Sequence, residues 1–208
     1  MSFELPRKGL RIAHINICSI RNKLTEISHI LFSKSLHILA VSETHLDSTF
    51  EDASLMIHGY NIFRNDRNAY GGGVACYIQS HLPVKVRQDL MVPDIEVLWL
   101  QVCLNHLKPI LIGCFYRPPN TNMLYLDKVC DMLEEVSFTG YEIYFLGDMN
   151  VDWNSRCCPM RKKLMNVCAS CGLSQVINKP TRIGLNSNGQ RVATNIDHIY
   201  LNNPEVCS

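Results

Sequence analysis

The chain has little of what usually announces a function from a distance. Lys and Arg number 20 against 19 Asp and Glu, a net charge of +1 over 208 residues. No basic excess therefore marks a general nucleic-acid binder, although a local basic groove holds phosphates equally well when the total is near zero. No apolar run approaches the roughly 20 residues that span a bilayer. The opening Met1-Ser2-Phe3-Glu4-Leu5-Pro6-Arg7-Lys8 has no signal-peptide core. These absences lead us to expect an intracellular protein of the cytoplasm or nucleus, neither secreted nor in a membrane. Glycine-rich phosphate cradles are missing too. Gly71-Gly72-Gly73 precedes a strand pattern, not a helix, and so forms neither a dinucleotide fingerprint nor a P-loop. No Ser-His or Cys-His pairing stands out, and there is no internal repeat or low-complexity linker.

What is present is a hydrophobic content of 47%, enough for the core of a single domain over residues 1–208. The ten cysteines are scattered. Cys76, Cys103, Cys114 and Cys130 lie in apolar runs, where free cysteine behaves as a small buried hydrophobe. A reducing compartment keeps them in that state. Cys168-Ala169-Ser170-Cys171 has the spacing of half a zinc site, but a structural site needs a second such pair, and Cys157 and Cys158 are adjacent. Cys168 and Cys171 instead continue a helical stripe with Met160, Leu164 and Val167.

Hydrophobic periodicity predicts strands over 10–17, 37–42, 74–78, 96–104, 109–116, 141–146 and 193–201, and helices over 23–33, 124–136 and 160–171. Residues 184–189 read as a polar Gly/Asn/Ser loop. Consecutive strands in the middle with helices on either side fit an α/β domain of two packed sheets covered by helices better than one doubly wound sheet.

The polar residues at the strand ends carry the chemistry. The apolar run Tyr141-Glu142-Ile143-Tyr144-Phe145-Leu146 delivers Gly147-Asp148-Met149-Asn150 to a turn. Other strand ends carry Asn16, Glu43 and Tyr116-Arg117-Pro118-Pro119, and a later strand carries Asp197. One site assembled from five strands accounts for this pattern, because a rigid scaffold with polar groups at its rim is how α/β proteins present catalytic residues. Phosphodiester cleavage needs that inventory: oxygen ligands for a hard cation, donors for the developing phosphorane oxygens and an acid–base group to activate water. Arg64, Arg67, Arg117 and Arg182 are candidate phosphate contacts. His14, His29, His37, His45, His58, His81 and His106 do not cluster in sequence and are read as structural or surface residues.

The order of these motifs resembles the endonuclease/exonuclease/phosphatase superfamily. Within it, the match is to the apurinic-endonuclease-like domain of non-LTR (LINE-type) retrotransposons. The motifs are Asn16-Ile17-Cys18-Ser19-Ile20-Arg21-Asn22-Lys23, Ser42-Glu43-Thr44-His45-Leu46, Tyr116-Arg117-Pro118-Pro119, Gly147-Asp148-Met149-Asn150 and Ile196-Asp197-His198-Ile199. The glycine triplet and Lys179-Pro180-Thr181-Arg182 add to the likeness, which runs from about Leu10 to Leu201.

The resemblance implies a four-layer, DNase I-like α/β sandwich that nicks DNA with Mg²⁺, Mn²⁺ being a substitute, and a downstream reverse transcriptase region in a longer polyprotein. Glu43 and Asn16 would hold the metal, and Asp148 would handle the proton of the attacking water or leaving group. Asn150 and Tyr116 would hold phosphate oxygens, Asp197 would orient a histidine, and Arg117, Arg182 and Arg67 would contact substrate. Two departures stand out. Cys18 replaces a commonly charged residue. The family's closing Ser-Asp-His segment does not follow Asp197, so the chain resembles a C-terminally incomplete copy. His198 is no substitute, since adjacent strand residues face opposite ways. Loss of the acid–base group costs roughly 10²–10⁴-fold, so weak nicking at most is expected. The alternatives are a catalytically silent nucleic-acid-binding fragment and a phosphatase of the same superfamily.

Overall fold

Alternation along the strands builds four layers. The computed structural model describes residues 9–104, 107–185 and 188–206. In chain order the elements are β1 (Ile12–Asn16), α1 (Leu24–Ser33), β2 (Ile38–Ser42), β3 (Tyr60–Asn65), β4 (Val74–Gln79), β5 (Val84–Val86), β6 (Glu96–Val102) and β7 (Ile110–Tyr116). These are followed by α2 (Met123–Ser137), β8 (Glu142–Asp148), α3 (Pro159–Ser170), β9 (Ser174–Gln175), β10 (Arg182–Leu185), β11 (Arg191–Thr194) and β12 (Asp197–Leu201).

One sheet has the order β1-β2-β4-β3 and the other β5-β6-β7-β8-β12-β9, while β10 and β11 form a separate antiparallel hairpin. Ile38, Ala40, Val74, Cys76 and Ile78 of the first sheet meet Leu98, Leu100, Ile110, Ile112, Cys114 and Leu146 of the second. The intervening residues face outward. Leu39, Val41 and Tyr77 pack on Ile27 and Leu31 of α1. Val97, Trp99, Leu111, Phe115, Ile143, Phe145 and Tyr200 pack on α2 and α3. The order is therefore helix, sheet, sheet, helices, as anticipated.

The helices follow from local chemistry. Asn122 caps α2, its side chain accepting from the Tyr125 N–H at 3.2 Å. Pro159 starts α3 at a position where its missing N–H costs nothing. Among the described residues no helix is long and apolar enough to cross a membrane.

Several boundaries differ from the sequence reading. β3 and β5 are additional strands; β3 is half-exposed and β5 has three residues, so neither shows a clean apolar run. β8 extends through Asp148. The single strand expected over 193–201 is two, β11 and β12, because Asn195 leaves the ladder. Its N–H donates to Asp152 Oδ1 (3.0 Å) and its side-chain amide to the Ile177 carbonyl (2.7 Å). Cys76, Cys114 and Cys130 are buried free thiols, whereas Cys103 is half-buried. The expectations for residues 1–8 and for His106 fall outside the described residues, as does part of the 184–189 loop.

His198, on the helix-facing side of β12, is fully buried against Trp153 and Tyr200, with Nδ1 2.9 Å from the Tyr200 hydroxyl and Nε2 3.0 Å from the Asn195 carbonyl. Burial lowers its pKa to about 4, only partly opposed by the Asn195 carbonyl and Asp197. The unfolded chain therefore binds more protons than the folded one below pH about 6.5. Stability is full above that value and falls as pH drops towards about 4, by up to about 3 kcal/mol from this group. Thermal melts between pH 7 and 4 should show this decline, and a His198→Gln variant should make it shallower, leaving the part that the equally depressed His14 contributes. Equal slopes would remove His198 as the cause.

Candidate active site

The same alternation that builds the core aims the site. On β7, β8 and β12 the positions facing the other sheet include Cys114, Leu146 and Ile199, and two residues along each strand this face ends in Tyr116, Asp148 and Asp197. Register then sets these three in one row: Tyr116 is opposite Asp148 in the parallel β7–β8 pair, and Asp148 opposite Asp197 in the antiparallel β8–β12 pair. From the first sheet, β1 presents Ile12, His14 and Asn16 by the same parity. Glu43 follows β2 with a left-handed φ of 55°, which breaks the alternation and lets it line the cleft as well.

The cleft, about 730 Å³, is lined by His14, Asn16, Glu43, Tyr116, Asp148, Asn150, Arg182 and Asp197, among others. The Asn16 amide joins the two sheets, its Nδ2 donating to Glu43 Oε1 (2.8 Å) and Asp148 Oδ2 (2.9 Å). Its Oδ1 accepts from the Cys18 N–H at 3.1 Å. Asp148 Oδ1 accepts from the Asn150 N–H (2.9 Å), and Asn150 Nδ2 donates to the Arg117 carbonyl (2.8 Å). The turn-forming and site-forming roles of Asp148 and Asn150 thus coexist. The Tyr116 hydroxyl hydrogen-bonds Glu43, and burial followed by the charges of Glu43 and Asp148 raises its pKa.

Asp148 is 2% exposed. Burial pushes its carboxyl up to about 6; the Asn150 N–H and Asn16 amide oppose this, while Asp197 and Glu43 add to it. Like charges placed directly opposite on one sheet face repel, and Asp197 Oδ1 is buried with no hydrogen-bond partner among the described residues. Three converging carboxylates concentrate negative charge in the cleft.

Glycines and a threonine hold the frame. The Thr44 and His45 N–H groups donate to the carbonyls of Gly73 and Gly72 (3.2 and 3.0 Å), and Ser19 and Ile20 N–H groups to those of Glu43 and Thr44 (2.8 and 3.0 Å). Gly72 and Gly73 have φ of 66° and 80°, and a Cβ on Gly73 would lie 2.6 Å from Thr44 Oγ1. Thr181 Oγ1 accepts from the N–H groups of Ile196 (3.2 Å) and Asp197 (3.1 Å), fixing the start of β12.

The arginine expectations divide. Arg182 lines the cleft from the exposed hairpin. Arg67 sits beside it, paired with Glu96 at 2.7 Å and 5.9 Å from the Tyr116 ring centroid. Arg117 is a correction. It follows inward-facing Tyr116 and so points to the helix side, where it is 2% exposed and donates to the carbonyls of Met149, Asn150 and Thr121. That position makes it a clamp on the Asp148–Asn150 turn with no reach to substrate. Arg64 is paired with Asp52 and Asp66.

Two histidines read as structural also belong here. His14 Nε2 is 3.0 Å from Ser42 Oγ and its Nδ1 is 3.6 Å from Asp197 Oδ1. Burial lowers its pKa to about 4 despite Asp197, which leaves the ring neutral. Ser42 is fully buried, so this array orients His14 and offers no nucleophile. Its sequence signal was the period of two from Asn16. His45 Nε2 lies 3.5 Å from Glu43 Oε2.

No protein-family model matches the chain, and no curated protein matches it in sequence. Solved structures do match in shape. The endonuclease domain of TRAS1, a telomere-specific non-LTR retrotransposon, is 15% identical with a TM-score of 0.73, over 93% of this chain and 85% of that one. The chain shares the DNase I-like four-layer α/β fold of this structure. A 3′–5′ exonuclease from Neisseria meningitidis is 17% identical with a TM-score of 0.70, over 91% of this chain and 86% of that one. An AP endonuclease from Archaeoglobus fulgidus is 16% identical with a TM-score of 0.68, over 94% and 88%. The four-layer architecture expected from the sequence is thus the observed one.

Proposed function

We propose that this domain hydrolyses phosphodiester bonds of DNA with a hard divalent cation, Mg²⁺ or Mn²⁺ in its place, held at Glu43 and at Asn16 once its amide turns Oδ1 towards Glu43. The observation that supports this most is the row Tyr116–Asp148–Asp197 closing on Asn16 and Glu43 from the facing sheet. The residues fit a hard cation: three carboxylates converge, one oxygen is buried without a hydrogen-bond partner among the described residues, and such cations take oxygen ligands. The cation, when bound, polarises the phosphoryl oxygen and offsets charge on the leaving oxygen.

The chain's own groups supply the rest. Asp148, with its carboxyl pushed up to about 6, accepts a proton from water near neutral pH. The Tyr116 hydroxyl and Asn150 amide contact phosphate oxygens, and Arg182 and Arg67 attract the backbone at the rim. Asp197, held by Thr181, orients its neighbours. The motif order and the likeness to the TRAS1 domain support a retrotransposon origin, and the downstream reverse transcriptase region rests on the motif order alone.

Nicking by these 208 residues is weak in this reading, because among the described residues Asp197 Oδ1 has no hydrogen-bond partner and faces only the neutral His14 ring, 3.6 Å away. That same orphan oxygen favours a second reading, DNA binding without cleavage. Replacing Glu43 with Gln separates cation use from fold. The variant should bind Mn²⁺ at least tenfold more weakly by calorimetry, the scale of a damaged metal site being roughly 10–100-fold, and lose Mg²⁺-dependent plasmid nicking. Unchanged Mn²⁺ affinity would remove Glu43 from the site.

A further inference from the structure

Cys18 stands in the β1–α1 loop, Glu43 and His45 in the loop after β2. We propose that Cys18, Glu43 and His45 form a second kind of cation site, selective for a thiophilic divalent ion of the zinc class. The Cys18 thiol sulfur, a Glu43 carboxylate oxygen and a His45 ring nitrogen all lie within 4.8 Å of one another. Tetrahedral zinc, with bonds of about 2.0–2.3 Å, needs ligand atoms about 3.3–3.8 Å apart. Glu43 Oε2 and His45 Nε2, 3.5 Å apart, already span one such edge. The exposed Cys18 side chain closes the third corner and leaves a fourth position open to water.

The cradle is prearranged by backbone bonds. Ser19 and Ile20 donate to the carbonyls of Glu43 and Thr44 (2.8 and 3.0 Å), and the Lys23 ammonium donates to the Cys18 carbonyl (3.0 Å). Cys18, Ser19, Glu43 and His45 all have positive φ, an arrangement costly for non-glycine residues and here fixed by those bonds. The donor set itself discriminates: thiolate and imidazole suit zinc, whereas Mg²⁺ takes oxygen. Binding forms sulfur–, nitrogen– and oxygen–metal bonds and releases the Cys18 thiol proton to solvent. Glu43 is shared with the cleft: its Oε1 accepts from Asn16 while its Oε2 faces His45.

The test is metal binding alone and stands whether or not the chain cleaves DNA. Co²⁺ serves as the probe, since its thiolate complexes show a near-ultraviolet charge-transfer band. The full chain should give a saturable band at one equivalent, displaced by Zn²⁺ and not by millimolar Mg²⁺. Cys18→Ser should abolish the band with an unchanged melting temperature, and His45→Gln should weaken binding roughly tenfold or more. A Cys157→Ser/Cys158→Ser double variant should keep it. Absence of a saturable band, or a band that survives Cys18→Ser, would overturn the assignment.

Discussion

An Asp148→Asn protein is expected to lose plasmid nicking by roughly 10²–10⁴-fold while folding normally, the scale of removing a general acid–base group. The substitution is chosen for what it leaves in place. Asparagine keeps an oxygen for the Asn150 N–H, which Asp148 Oδ1 now caps at 2.9 Å, so the turn survives. What disappears is a buried negative charge set directly opposite Asp197 and bridged to Glu43 through Asn16. With divalent cations chelated, relief of repulsion is set against the lost Asn16 bond, since the amide nitrogen that replaces Oδ2 cannot accept, so the variant should melt within a few degrees of the parent protein. A large loss of stability together with activity would mean that Asp148 serves the fold first. Retained nicking would take the proton-handling role from it.

A Gly147→Ala substitution should be the most damaging single methyl group added anywhere near the site. Gly147 lies between Phe115 on β7 and His198 on β12. A Cβ there would sit 1.9 Å from the Phe115 carbonyl oxygen and 2.7 Å from its carbon. Side chains relieve crowding by changing rotamer, but backbone in a central strand has no such escape. The cost should reach or exceed the upper end of overpacking, about 3 kcal/mol, lowering the melting temperature by roughly 6–12 °C. The register that holds Tyr116 beside Asp148 would be lost with it. Gly184→Ala, in the exposed β10 where a Cβ meets nothing within 4 Å, is the matched control and should stay within about 0.5 kcal/mol. Equal melting of the two variants would show that β7 and β8 are not packed this closely.

The layers were legible in the sequence because buried strands leave runs that tolerate little ambiguity: Ile110–Tyr116 is buried at every position. β3 was not, since its face towards solvent dilutes the pattern, and the break at Asn195 depends on Asp152, 43 residues away. The cleft residues were found as strand ends with polar chemistry, and the structure gathers Asn16, Glu43, Tyr116, Asp148, Asn150, Asp197 and Arg182 in one place. The placements of Arg117 and His14 were not read from the sequence, for a single reason. Each was weighed as an isolated residue type, when the period of two from Tyr116 and from Asn16 already sets Arg117 outward and His14 inward. Thr181 carried no such signal, because its role is a side-chain bond to a strand that begins 16 residues later.

The central claim is that these strand ends form one cation-dependent phosphodiesterase centre, to which an added Ser-Asp-His segment would bring an acid–base group opposite Asp197. Supercoiled-plasmid nicking in Mg²⁺ tests it most directly, comparing the 208-residue chain with one extended by such a segment. The account predicts slow nicking by the chain, a rise of roughly 10²-fold or more on extension, and loss of both activities in EDTA. Nicking that persists in EDTA, or silence from both proteins, would contradict it.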